Sequence, residues 1–308
     1  MIGSSQEKTE SVGVAGEGHS QSESGEEIRR GERFAFGENW SRFLEVLDED
    51  RIGEAERSLQ GMLGVQRLDG LSFLDVGSGS GLFSLAAWRL GARVRSFDYD
   101  PRSVATTREM RRRYGRDDES WLVGEGSVLD RAYLDGLGQF DIVYSWGVLH
   151  HTGSMWEAMA NVVPLVAPEG KLFIALYNDQ DLISRFWGAV KRTYCSGWFG
   201  RMMVVPVFFA FFAAAGLLGD LLRRRNPVLR YTEYRKKRGM SLTHDWIDWL
   251  GGYPYEVAKP GDVFEFYAAR GFALTKLVTR ASLGCNEFVF RRGSAGVRGD
   301  SSPVRSGQ

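Results

Sequence analysis

Three glycines at alternate positions, Gly77, Gly79 and Gly81, follow the apolar run Phe73-Leu74-Asp75-Val76 and lead into a helical stretch from Leu82 to Leu90. Glycine serves where the backbone must take positive φ and where a ligand approaches the main chain without a Cβ in the way. The helix after the turn offers free N–H groups and a positive dipole end to an anionic group. Asp98 ends the short strand pattern Arg93-Val94-Arg95-Ser96-Phe97, 21 positions after Gly77. An acid at that distance accepts both hydroxyls of a ribose. The spacing therefore points to a nucleotide-like cofactor at the carboxyl edge of a parallel sheet. A second set of reactive residues, His150 and His151, comes after the apolar run Phe140 to Trp146. Imidazole titrates near neutrality and suits general-base work.

The order Gly77-x-Gly79-x-Gly81 differs from the G-x-G-x-x-G dinucleotide fingerprint. It resembles motif I of the class I S-adenosylmethionine-dependent methyltransferases. That resemblance implies cofactor contacts at Asp75, Gly77, Ser78, Gly79 and Gly81, with Asp98 on the ribose. It implies an adenine site in the loop Gly124 to Asp130, at Ser127 and Val128. The family often carries an acid where this chain has Ser127, which leaves the adenine contact open between that hydroxyl, backbone groups and Asp130. The loop after the fourth strand resembles the family's segment beside the methionine part of the cofactor. It begins at Ser145 and Trp146 and brings His150 or His151 to the reacting methyl as base or acceptor-positioning group. Runs from Phe36-Gly37-Glu38-Asn39-Trp40 to Gly284-Cys285-Asn286-Glu287-Phe288 look like a bacterial group of small-molecule methyltransferases.

Residue pattern also gives the scaffold for these groups. Strands are predicted at 73–76, 93–98, 120–123, 140–146, 170–177, 271–278 and 286–291, and Asp100-Pro101 reads as a cap opening a helix to Tyr114. The expected fold is α/β, a Rossmann-like seven-stranded class I methyltransferase sheet with an antiparallel last strand, an N-terminal helical cap and a helical insertion between strands five and six. Residues 1–33, rich in Ser, Gly and Glu, and 293–308 read as disordered tails. Residues 34–66 form the cap, where Trp40, Phe43, Leu44 and Leu47 mark one helical face and Ile52, Ala55, Leu59, Met62 and Leu63 another. The cofactor-binding core spans 67–180 and resumes at 263–292, with the insertion and acceptor loop at 181–262.

Within that insertion Leu182, Ile183, Phe186, Trp187, Val190 and Tyr194 form an apolar stripe, with Arg185, Lys191 and Arg192 assigned to the surface. Met202 to Gly219 gives eighteen residues without a charge, long enough to cross a bilayer. A single crossing conflicts with the sheet, because strands one to five precede this run and six and seven come after it. Three readings remain: a buried lid, an element on or dipping into a membrane, and a dimer interface. Basic residues between Arg223 and Arg238 favour an anionic membrane surface through 182–238. The segment from Ser241 to Glu256 reads as a loop walling the acceptor site, with His244, Tyr253 and Tyr255 as candidate contacts, joined by Tyr177, Asn178 and Asp179 at the end of strand five.

Charge balance, 39 basic against 39 acidic residues, gives no global field for nucleic acid. Cys195 and Cys285 form no metal spacing, and no metal site is expected. The expectation is a cytoplasmic S-adenosylmethionine-dependent enzyme, or one peripheral on the membrane, that methylates a small or lipid-like acceptor, on oxygen in preference to carbon or nitrogen. The alternatives are a tRNA- or protein-modifying methyltransferase and a non-catalytic cofactor-binding membrane scaffold.

Overall fold

The computed structural model describes residues 20–37, 40, 43–45, 47–116, 118–222, 242–281 and 283–294. Helix α1 spans Ser20–Arg30 and α2 spans Glu49–Leu63. Asp48 caps α2 by accepting from the Arg51 N–H, and Ile52, Ala55, Leu59, Met62 and Leu63 are its buried face. Strand β1 (Ser72–Val76) enters α3 (Leu82–Arg89), and β2 (Arg93–Asp98) enters α4 (Pro101–Tyr114), which Asp100 caps with proline in the first turn. Then come β3 (Trp121–Glu125), α5 (Arg131–Asp135), β4 (Phe140–Trp146), a 3₁₀ turn at Leu149–His151, α6 (Met155–Asn161) and β5 (Val166–Tyr177). The insertion holds α7 (Leu182–Cys195), α8 (Trp198–Leu222) and α9 (Leu242–Gly251). Helix α10 (Pro260–Ala268), β6 (Phe272–Val278) and β7 (Cys285–Arg292) complete the core.

The seven strands lie in the order β3-β2-β1-β4-β5-β7-β6. All neighbours are parallel except β7, which runs antiparallel to both β5 and β6, with Tyr177 opposite Cys285 and Lys171 opposite Arg291. The order reverses between β1 and β4, so the carboxyl ends of those strands open on the crevice where ligands bind in such sheets. Both faces of the sheet are buried. Leu74, Val76, Val143, Leu172 and Ile174 pack on one side, and Phe73, Ile142, Tyr144, Phe173 and Val289 on the other. A third apolar cluster, around Trp187, Tyr194, Val204 and Leu250, joins α7, α8 and α9.

Three expectations change. Residues 20–33 are not a tail: α1 is helical, and Arg33 beyond it pairs with Glu27 at 2.8 Å and donates to the His151 carbonyl at 3.1 Å. The segment read as an acceptor loop is helical over Leu242–Gly251, and only the stretch from Gly252 to Glu256 is irregular. Lys191, assigned to the surface, is 0% exposed. Residues 1–19, 223–241 and 295–308, including the basic run, lie outside the described residues, as do Glu38, Asn39, Ser41, Arg42 and Val46 of the cap.

Candidate active site

The turn after β1 is built for close approach. Gly77 takes φ 82° and Gly79 φ 55°, values that side chains rarely adopt. A Cβ on Gly77 would collide with Val148, and one on Gly79 would meet the Trp40 indole at 3.0 Å. Trp40 thus brings the N-terminal cap onto the turn. Ser78 is buried, its hydroxyl 2.9 Å from that of Thr107 on α4, and Gly81 precedes α3 in the left-handed conformation.

At the end of β2 the Asp98 carboxylate is held from two sides. Oδ2 accepts from the Gly79 N–H and Oδ1 from the Asp100 N–H, both at 2.9 Å. Each oxygen keeps a lone pair for a further donor, which is what the two hydroxyls of a ribose require. Burial raises the Asp98 pKa to about 6, against the lowering effect of those N–H groups. The residues present therefore fit the ribose of an S-adenosyl cofactor.

Asp75 and Ser145 are placed behind the turn rather than facing a ligand. Asp75 is 2% exposed and accepts from the Ser84 hydroxyl on α3 at 2.5 Å, and Ser145 donates to the Val76 carbonyl at 3.0 Å. They tie α3 and β4 to β1 and so act through the geometry of the glycine turn. Trp146, next to Ser145, is exposed at the end of β4. In the loop after β3, Ser127 accepts from the Leu129 N–H at 3.1 Å, Val128 is buried, and Asp130 caps α5 by accepting from Tyr133.

Burial dominates Asp75 as well, raising its pKa to about 7, with Ser84 opposing and Asp98 adding to the rise. A carboxyl whose folded pKa lies above its unfolded value binds a proton more tightly when folded. Its contribution to stability is present at low pH and lost as pH rises from about 4 to about 7. Asp75→Asn keeps an acceptor for Ser84 and removes that dependence. The variant is expected to lose a few °C less than the native chain when thermal melts are compared at pH 5 and pH 8. Parallel pH curves would remove the buried ionisation from the account.

The histidine pair occupies the turn after β4. Its rings are 4.5 Å apart, with His150 at 4.1 Å and His151 at 5.4 Å from Tyr177. The Tyr177 N–H points at His150 Nδ1 at 3.4 Å, and buried His150 Nε2 has no partner. His151 Nδ1 lies 2.5 Å from the Pro254 carbonyl, which only accepts, so Nδ1 carries the proton and Nε2 has a free lone pair. Burial is the leading cause that keeps both imidazoles neutral. His150 falls well below the usual range, and His151 falls to about 3 with help from the Lys191 and Arg33 charges.

Tyr255 stands 5.2 Å and Trp249 6.1 Å from Tyr177, ring to ring, and Phe36 of the cap is 4.9 Å from His151. The Lys191 ammonium donates to the Trp249 carbonyl and lies 4.3 Å over the Trp249 ring and 5.0 Å over that of Tyr255. It therefore places a positive charge beside the histidines. The irregular chain after α9 is pinned there by backbone bonds: Glu256 N–H to the His150 carbonyl and Ala258 N–H to that of Tyr177, each 3.0 Å. The Glu256 carboxylate also accepts from the Met155 N–H at the start of α6.

Not every expected contact is brought together. Asn178 ties β5 to the turn before β7, donating to the Arg280 carbonyl and accepting from Asn286, each at 3.0 Å. Tyr253 turns its hydroxyl to Arg192 at 3.3 Å, while its carbonyl accepts from Phe34. His244 is on α9, and its side chain lies outside the described residues. Arg33 went unread in the sequence, and Lys191 was assigned to the surface. Lys191 stands four residues after Trp187, on the same helical face, and that spacing was the available signal. Among the described residues no cluster suited to a metal ion occurs.

The sheet order, its single antiparallel strand and the glycine turn facing Asp98 define the class I S-adenosylmethionine-dependent methyltransferase architecture. Residues 74–174 match the profile of a family described as "Methyltransferase domain", so the chain carries a domain of that class. Among curated relatives it is 29% identical over 36% of its length to a "Ubiquinone biosynthesis O-methyltransferase" of Caulobacter vibrioides, covering 42% of that protein. It is 33% identical over 44% of its length to one from Methylocella silvestris, covering 50% of that protein. The chain thus spans about half the length of these relatives. Among solved structures, magnesium protoporphyrin IX methyltransferase from Synechocystis PCC 6803, with bound SAH, aligns with TM-score 0.48 and 14% identity, covering 79% of this chain and 83% of that one.

Proposed function

We propose that this chain transfers a methyl group from S-adenosylmethionine to an oxygen of a small or lipid-like acceptor, working at the cytoplasmic side of the cell. The observation that carries the reading is the locked carboxylate of Asp98 beside the glycine turn, with the His151–Tyr177–Lys191 group after β4 and β5. Bound S-adenosylmethionine supplies an electrophilic methyl on a sulfonium. Asp98 holds the ribose and the glycine turn lets the cofactor lie on the backbone. The chain's other task is alignment, because in-line displacement needs the acceptor held collinear at near-attack distance. The Tyr177, Trp249 and Tyr255 rings provide flat apolar walls for such an acceptor. His151 Nε2 takes the proton of the acceptor hydroxyl, with Nδ1–H fixed on the Pro254 carbonyl. Lys191 steadies negative charge that builds on the oxygen as the proton leaves.

The test is transfer of label from S-adenosylmethionine into host extract split into organic, aqueous and macromolecular fractions. Label in the organic or small-molecule aqueous fraction is the expected result. Label confined to RNA or protein would replace this reading with the macromolecular one. No transfer, with cofactor still bound, would leave a scaffold.

A further inference from the structure

The match of α8 to its surroundings is one-sided. Its inner row, Val204, Phe208, Phe212 and Gly216, turns toward the protein. Trp187 of α7 meets Phe208 at 5.3 Å, and Trp246 of α9 meets Phe209 at 5.1 Å and Phe212 at 5.4 Å. The exposed residues of α8 are equally apolar: Phe199, Met203, Val207, Phe211, Leu218 and Leu222 all face outward, with Phe199 77%, Met203 71% and Leu222 78% exposed. A helix of a water-surrounded domain carries polar residues on its outer face. Here the most apolar stretch has a mean hydropathy of 2.2 and is 6% buried. Leu182, Ile183 and Phe186 at the start of α7 are exposed as well, and Phe186 meets Phe208 of α8 at 6.2 Å. Apolar continuity on this scale marks an interaction surface.

Two observations choose the occupant. The chain continuing from the end of α8 carries Arg223, Arg224, Arg225, Arg230, Arg235, Lys236, Lys237 and Arg238 against the single acid Glu233. An apolar face succeeded by concentrated positive charge complements an anionic bilayer, whose lipid interior takes the first and whose head groups take the second. The sheet sets the orientation. Strand β5 precedes α8 and β7 comes after it, yet the two pair from Lys171–Arg291 to Tyr177–Cys285, so α8 cannot cross and leave them on opposite sides. Its middle is also clasped by α7 and α9.

We propose that the outer face of α8, with the start of α7, docks this chain on an anionic lipid bilayer, α8 lying in the plane of the interface. Docked this way, the lipid-facing helix and the histidine pair share one aromatic wall. Phe208 meets Trp187, Trp187 meets Trp249 at 5.4 Å, Trp249 meets Tyr177 at 6.1 Å, and Tyr177 meets His150 at 4.1 Å. Docking is independent of the methyl-transfer reading, whereas delivery of an acceptor along this wall rests on it.

The experiment is co-sedimentation of the full chain with vesicles of phosphatidylcholine alone and with about 30% phosphatidylglycerol, at low salt and at about 0.5 M NaCl. The native chain is expected to pellet with the anionic vesicles, at least about tenfold more weakly with neutral ones, and less at high salt. Val207→Glu with Phe211→Glu is expected to reduce partitioning at least about tenfold, with S-adenosylhomocysteine affinity and melting temperature unchanged. Calorimetric cofactor binding by the native chain is measured separately, so failure of the cofactor reading shows there and not in the pellet. A native chain that stays in the supernatant, or a variant that pellets like it, overturns the proposal. So does a dimer that the double variant splits, which would give the face to a second copy. Resistance to alkaline carbonate extraction would overturn the in-plane placement.

Discussion

Replacing Asp98 with Ala is expected to weaken S-adenosylhomocysteine binding about 100-fold or more in a calorimetric titration. Two hydrogen bonds from ribose hydroxyls to a carboxylate are charge-assisted, at roughly 1.5 kcal/mol each at the low end, and together they account for that factor. The effect is large because the carboxylate is fixed before the ligand arrives, with the Gly79 and Asp100 N–H groups holding one oxygen each. Asp98→Asn keeps the shape and one acceptor, and should lose about tenfold if one charge-assisted bond is reduced to a neutral one. Its amide NH2 must face the Gly79 or the Asp100 N–H, so its melting temperature is measured alongside that of Asp98→Ala and is expected to fall modestly. The pH dependence has a definite sign. Ribose hydroxyls donate to the ionised form, whereas burial raises the free group to about 6. Affinity should hold constant above pH 7 and fall toward tenfold per unit below pH 6, and Asp98→Ala should lack that fall. Cofactor affinity within threefold of native in Asp98→Ala would take the ribose away from this residue.

The position of Asp98 beside the glycine turn was legible because its evidence is local: a strand, an acid and a glycine turn at fixed distances, all set by backbone geometry. The same holds for β4, whose apolar run from Phe140 to Trp146 coincides with the strand. The histidine pair was legible as a pair but not in its division of roles. Which imidazole is oriented depends on Pro254, more than a hundred positions away, and no spacing encodes that contact. Lys191 shows a different limit. A lysine in a helix is assigned to solvent by composition, yet Trp249 and Tyr255 supply ring faces and a carbonyl that accommodate its charge at 0% exposure. Asn178 and Ser145 mark the converse. Both stand at strand ends where ligand contacts are common, but each is committed to a neighbouring strand or turn. Helix α1 was hidden by its polar composition, and its ordering comes through Glu27, which pairs with Arg33, while Arg33 donates to the His151 carbonyl.

Replacing His151 with Ala is expected to lower turnover about tenfold or more, short of the range for a base tuned near neutrality because burial and the Lys191 and Arg33 charges make this imidazole a weak base, with cofactor affinity within about twofold of native. Turnover is read as label transferred to the responsive extract fraction, and affinity by calorimetry. The two imidazoles are not equivalent. His150 accepts from the Tyr177 backbone and is entirely buried, so its Nε2 proton faces protein. His151 is 8% exposed, and the Pro254 carbonyl holds its proton on Nδ1, leaving Nε2 as acceptor. His150→Ala should therefore act chiefly by loosening the turn. It should lower the melting temperature, with a loss of turnover below that of His151→Ala. The pH profile separates a base from a prop. Burial and the nearby Lys191 and Arg33 charges hold the free His151 at about 3, so the imidazole is already neutral across the physiological range. Turnover of the native chain should then stay flat from about pH 6 to pH 8, with no limb near the ordinary imidazole value. A limb near 6.5 that vanishes in His151→Ala would keep the base but refute its burial. Full activity in His151→Ala would remove the base altogether and leave alignment by the Tyr177, Trp249 and Tyr255 walls as the source of the rate.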